Sequence, residues 1–155
     1  MTDSPREITR VDDLVEIANL ADVYFLEIAA KRAYRDAELD SDSGIEAMLR
    51  NLNIATRVME DEAFEARFRI LIEAPQADIV VDVVTTYALN EPAVLLEAVT
   101  QEFVQRVAIM AAWPFIRSQV FLLASQLGIE VPVLPLIKQG MLALEKSDAE
   151  TFGDE

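Results

Sequence analysis

The stretch Phe103–Pro135, FVQRVAIMAAWPFIRSQVFLLASQLGIEVPVLP, decides the fold. It reads as a helix with a proline set inside it, closed by Gly128 and followed by a short extended Val/Leu/Pro segment. From Val107 to Ile116 no side chain is charged, and the sole polar group is the indole N–H of Trp113. An amphipathic surface helix shows an apolar stripe of about 100° and a polar back. This helix is apolar nearly all round through its middle, so it needs cover on two sides. A sheet can supply one side, and the other is most easily supplied by a second copy of the same helix. The pattern therefore predicts an assembly helix, with Val107, Met110, Ala111 and Pro114 at the contact, and a protein that works as an oligomer.

Upstream, the periodicity changes from helical to alternating. Phe64, Ala66, Phe68, Ile70 and Ile72 alternate with Glu65, Arg67, Arg69 and Glu73, the clearest strand pattern in the chain. Pro75 marks a tight turn in APQAD (74–78). Beyond it Ile79, Val81, Val83, Thr85 and Tyr87 line one face of another strand, with Asp78, Val80, Asp82 and Val84 on the other. Leu52–Met59 reads as a strand as well. So does the segment from about residue 21 to 32, where Tyr24, Leu26, Ile28 and Ala30 alternate with Val23, Phe25, Glu27, Ala29 and Lys31. A short helix over 11–20 precedes it, capped by Thr9 or Asp12, with Val11, Leu14, Val15 and Ala18 at helical spacing. Residues 1–9 read as frayed. Residues 35–50 read as a long crossover rich in Ser and Asp, in which Ile45, Met48 and Leu49 form a docking turn. The chain is read as helical from Ala93 to Glu102, with a last turn over Met141–Glu145. The result is an α+β layout, a four-stranded antiparallel sheet with helices on one face, in a single domain over 1–145 followed by a disordered acidic tail, 146–155.

Composition narrows the function. Thirteen basic against twenty-eight acidic residues leave a net charge of −15. Such a surface repels phosphate, and the cluster Lys31, Arg32 and Arg35 is followed at once by Asp36, Glu38, Asp40 and Asp42. Nucleic acid and anionic membranes are therefore not expected partners. An apolar fraction of 52% beside that charge points to buried subunit contacts or a client groove. There is no cysteine and no histidine. Disulfides, thiolate nucleophiles and the commonest general base and metal ligand are excluded together. Ser118 and Ser125 have no histidine to activate them, Glu60–Glu62 reads as a solvated turn, and the acidic run 36–42 lacks the spacing of a calcium loop. No phosphate-binding glycine loop is present. An enzyme is not expected, nor any cofactor or metal. No secretory leader is visible, and the charge-free run of about ten residues between Arg106 and Arg117 is shorter than the roughly eighteen needed to span a bilayer. A cytoplasmic protein is expected.

Two stretches taken together point to a family: ANLADVYFLEIAAKR (18–32) and AAWPFIRSQVFLLASQLGIEVPVLP (111–135). The first has apolar alternation with a charged residue mid-strand. The second carries the aromatic-Pro-aromatic-x-Arg segment Trp113, Pro114, Phe115, Ile116 and Arg117, then a glycine exit and an extended Leu/Pro segment. Over roughly residues 15–136 the chain resembles SecB-like chaperones. The resemblance implies a homotetramer, a dimer of dimers assembled through its helices, that holds unfolded polypeptides in apolar grooves without ATP. Some such chaperones hand preproteins to the export motor SecA, and others shield an antitoxin in toxin–antitoxin–chaperone operons. Groove residues expected here are Met48, Leu49, Leu52, Trp113 and Phe115, with Arg117 read as an ion-paired structural residue. The resemblance also implies a docking face on the outer side of the sheet, at Glu27, Val80 and Asp82. There Lys31 replaces an acidic position, and a reversed charge opposes docking of SecA. An alternative reading is a dedicated adaptor for a single partner without general chaperone activity.

Overall fold

The computed structural model describes residues 4–34 and 51–138. Four strands form one antiparallel sheet: β2 (Ala18–Arg32), β3 (Leu52–Met59), β4 (Ala63–Ala74) and β5 (Ala77–Leu89), in the order β2-β5-β4-β3. Before them come β1 (Arg6–Ile8) and α1 (Val11–Ile17). After them, β6 (Ala93–Leu95) leads into α2 (Glu97–Phe103), a π-helical turn over Val104–Ala108, and α3 (Ile109–Leu127). β2 and β3 sit at opposite edges of this sheet. The docking turn expected at Ile45–Leu49, the acidic tail and the turn at Met141–Glu145 lie outside the described residues.

The α+β expectation holds, and the strand alternation explains why. Phe64, Ala66, Phe68 and Ile70 from β4 and Ile79, Val81 and Val83 from β5 are fully buried on one face. Against them α3 lays Ile109, Ala112, Trp113, Ile116, Val120 and Ala124, which recur at helical spacing on one side. Near one end of this layer Phe64 stacks on Tyr87 at 5.1 Å, and both meet the edge of Phe103. Pro75 and Gln76 make the two-residue turn between β4 and β5.

Three sequence readings are corrected. First, β2 does not keep a single phase. Register shifts between Leu20 and Asp22 and between Phe25 and Glu27 mark bulges, so Val23 and Phe25, then Ile28 and Ala30, face the helices. Tyr24, Glu27, Ala29 and Lys31 take the outer face, and Leu26 is the extra residue between them. Second, α1 ends at Ile17, and its buried side is Val11, Leu14 and Ile17, whereas Val15 is exposed. Arg10 occupies its N-cap without a side-chain hydrogen bond, in place of the expected Thr9 or Asp12. Third, the N-terminus is not frayed throughout. Arg6–Ile8 pairs in parallel with Ala93–Leu95, so Ala93 begins a strand rather than a helix. Ile8 and Leu14 seal that end of the core.

The helical run is also longer than its charge-free centre suggests. From Glu97 to Leu127 it is continuous over 31 residues, with a mean hydropathy of 1.6 in its most apolar window. By length and composition it is able to cross a membrane, which corrects the reading of a run too short to do so. The core helix of a soluble protein passes the same test, and one side of this helix packs on β5 and β2. Its exit is a Schellman closure: Gly128 adopts a left-handed φ of 66°, its N–H donates to Ser125 O, and the Ile129 N–H donates to Ala124 O.

Candidate functional site

Opposite its buried side, α3 presents apolar residues to solvent. Met110, Phe115, Phe121 and Leu122 are 43, 41, 61 and 48% exposed. Of the residues expected at a subunit contact, Met110 and Pro114 are exposed and Ala111 half-buried on this outward side, whereas Val107, in the π-helical turn, packs against the core. Among the described residues the helix therefore has one covered and one uncovered apolar face.

Along one flank of the uncovered face runs a groove of about 450 Å³. Its helical wall is Pro114, Arg117, Ser118 and Phe121, and its other wall is the extended segment Val131–Leu134. That segment is tied down at several points. The Trp113 Nε1–H donates to Pro135 O at 2.9 Å, and Leu134 and Ile137 are buried in the core. At the helix exit, Arg32 Nε and Nη2 both donate to Leu127 O, at 3.0 and 2.6 Å. A cation on the terminal carbonyls also complements the helix dipole. Gln76 Oε1 accepts from the Glu130 N–H at 3.4 Å. Between these anchors Val131–Leu134 makes no backbone hydrogen bond among the described residues. Pro132 alone lacks a donor, so Val131, Val133 and Leu134 keep N–H groups free for an added strand.

The expected groove residues are not gathered in one place. Trp113 is 4% exposed and acts behind the groove wall, as the hydrogen-bond donor that pins Pro135. Phe115 is exposed but points to the other flank of α3, and Leu52 is half-buried at the far edge strand. Met48 and Leu49 fall outside the described residues. Arg117 is not ion-paired among the described residues, contrary to expectation, and lines the groove instead. Phe121 and the wall 131–134 were missed. The signal for them was present, since positions 114, 117, 118 and 121 share one side of a helix.

The outer face of the sheet carries a charge network. Glu27 and Asp82 are cross-strand neighbours, as are Ala29 and Val80, and Lys31 and Asp78. Glu27, Lys31, Val80 and Asp82 therefore do share one face. Asp82, however, is 1% exposed: Arg67 grips it with Nε and Nη2 at 2.9 and 2.6 Å, and Arg69 Nε lies 3.8 Å away. Its carboxylate is consumed within the chain and is closed to a partner, which corrects its reading as a docking residue. Glu27 is exposed and meets Arg69 at 3.5 Å, Lys31 is exposed, and Val80 is half-buried. A second buried carboxylate, Glu65, is held by Arg57, by the Tyr24 hydroxyl at 3.0 Å and by the Thr86 hydroxyl at 3.3 Å. Burial, then the hydrogen bond to Glu65, push the Tyr24 hydroxyl above its usual pKa. On the inner face burial raises the pKa of the Tyr87 hydroxyl, an effect that the neighbouring Thr85 hydroxyl partly offsets, and no hydrogen bond of good geometry reaches it among the described residues. Thr85, on the same face, gives its hydroxyl proton to Ala66 O at 3.4 Å.

The fold is thus a four-stranded antiparallel sheet in the order β2-β5-β4-β3, backed on one face by a long helix with a glycine exit and an extended segment. In sequence and in fold the chain is similar to SecB-like chaperones. It is 29% identical over 137 residues to the SecB-like chaperone SmegB of Mycolicibacterium smegmatis, covering 88% of this chain and 87% of that protein. Its fold matches the Mycobacterium tuberculosis SecB-like chaperone, solved in complex with a ChAD peptide from the HigA1 antitoxin. The TM-score is 0.64 at 17% identity, over 82% of this chain and 92% of that one. No family model matches the chain.

Proposed function

We propose that the protein is an ATP-independent holdase, cytoplasmic and non-enzymatic, formed by one domain over residues 1–145 that assembles as a homotetramer. The outward face of α3, with Met110, Ala111 and Pro114, packs against its copy together with Val107 of the π-helical turn, and the grooves left beside it take up extended apolar segments of unfolded polypeptides. The observation that carries this reading is the groove between α3 and Val131–Leu134, whose walls are apolar apart from Arg117 and Ser118 and whose outer wall keeps free backbone amides among the described residues. Apolar side chains laid there gain about 25 cal/mol per Å² buried, while the amides bind main chain irrespective of sequence. Phe121 and Val133 are the main contacts, Trp113 shapes the wall from behind, and Phe115, Leu52, Met48 and Leu49 extend the client surface.

Among clients, an antitoxin fits better than an export preprotein. The tuberculosis relative binds an antitoxin peptide. On the outer sheet face here, Asp82 is locked to Arg67 and Lys31 is cationic, so the surface that would attract SecA is weakened.

Mixing the purified protein with an aggregation-prone unfolded substrate tests the reading. Light scattering should fall in proportion to added chaperone without nucleotide, whereas scattering unchanged at molar excess rejects holdase action. A protein that retains one antitoxin yet ignores several unrelated unfolded chains is the dedicated adaptor instead.

A further inference from the structure

Arginine 117 stands apart from its fellows. Each other described arginine has a partner: Arg6 meets Asp13 and Glu91, Arg10 meets Asp12, and Arg57 meets Glu65. Arg67 and Arg69 meet Asp82, Arg106 meets Glu102, and Arg32 caps Leu127 O. With twenty-eight acidic residues in the chain, a partner is easily found. Arg117 has none among the described residues, although it is exposed. It is also the one charged residue in the groove lining, beside Pro114, Phe121, Val131 and Val133. An unpaired guanidinium on an apolar wall, facing a segment with free backbone amides, is a recognition element without its ligand.

The geometry points to Arg117 as a specificity-determining residue that selects an extended apolar peptide carrying one carboxylate side chain. This rests on the groove being the client site proposed above. The peptide runs beside Val131–Leu134 as an added strand and places alternate apolar side chains against Phe121 and Val131. Its Asp or Glu reaches across to the guanidinium, whose planar fork matches a carboxylate in two parallel hydrogen bonds. The net charge of −15 opposes acidic ligands only at a distance, since charges beyond about 8 Å are screened at physiological salt. Arg117 therefore acts on dissociation of the docked peptide, while the overall charge acts on its arrival.

Three fluorescent peptides of twelve residues, identical and apolar except for a central Glu, Gln or Lys, test the assignment by anisotropy with the full-length protein. The wild type should bind the Glu peptide about fivefold tighter than the Gln peptide, as for a single solvent-accessible ion pair. Arg117→Gln should bring the two to parity, and Arg117→Glu should favour the Lys peptide. If the wild type binds the Gln and Glu peptides equally, the assignment is wrong while the groove reading stands. If no peptide binds, the groove reading itself fails. A change of oligomeric mass in Arg117→Glu with peptide preferences untouched puts a second copy of the chain on Arg117, and also overturns the proposal.

Discussion

The molecule has two extended apolar surfaces, and they meet different fates. The inner face of the sheet, from Phe64 to Ile72 and from Ile79 to Tyr87, is covered by α3 and is nearly inaccessible to water. The outward face of α3, with Met110, Phe115, Phe121 and Leu122, has similar chemistry and no cover within the described residues. A sheet has two faces, but here the outer one is closed by ion pairs and offers no second apolar layer. The first surface holds the chain together, and the second is the one assigned to other chains in the function proposed above.

The comparison breaks most sharply under paired substitutions. Phe68→Ala, on the covered surface, should cost about 3–5 kcal/mol of unfolding free energy in urea melts. Phe121→Ser, on the uncovered one, should change stability by no more than about 0.5 kcal/mol while abolishing peptide binding. Equal destabilisation by the two would make the outward face a structural surface. On the outer side of the sheet, Asp82→Ala leaves Arg67 and Arg69 without their buried anion, and should cost about 3 kcal/mol in the same melts. A loss below about 0.5 kcal/mol would show that the network is ornamental and that Asp82 is free for other use.

Smaller effects sharpen the picture. Trp113→Phe keeps an aromatic ring but removes the hydrogen bond to Pro135 O. About 1 kcal/mol should be lost. Hydrogen exchange should rise over residues 129–137 more than in the sheet, because the groove wall is released. The smallest effect is at Tyr87. Its hydroxyl is buried without a hydrogen bond of good geometry among the described residues, so Tyr87→Phe should be neutral or slightly stabilising. Burial raises the folded-state pKa of this phenol above its unfolded value of about 10. The folded protein then holds a proton that the unfolded chain releases, and stability should fall as pH rises above about 10. The Phe variant should lose less stability over that range.

Legibility in the sequence follows the same divide. The alternation in β4 and β5 could be read directly because every inward position from Phe64 to Tyr87 is apolar or Thr. In β2 the bulges at Leu20/Asp22 and Phe25/Glu27 shift the phase, and the apolar residues on both sides of Leu26 disguise the shift. The pairing of Arg6–Ile8 with Ala93–Leu95 involves three residues on each strand, too few for any periodicity. The burial of Asp82 and Glu65 was hidden because Glu65, Arg67 and Arg69 spaced two apart look like a solvated strand face. Only the cross-strand register brings the arginines over the carboxylates. On α3 the apolar character of the outward side could be read from the sequence, but the groove could not, because Pro114 drew attention to its flanking aromatics. The groove is set instead by Pro114, Arg117, Ser118 and Phe121 across from a segment about ten residues further on.

The proposed assembly covers the part of the outward face of α3 around Met110 and Ala111 with a copy of the chain and leaves the groove at Arg117 and Phe121 open beside it. Size exclusion coupled to light scattering at working concentration measures this directly. The account predicts a mass about four times the 17.3 kDa of one chain, and a single-chain mass would contradict it.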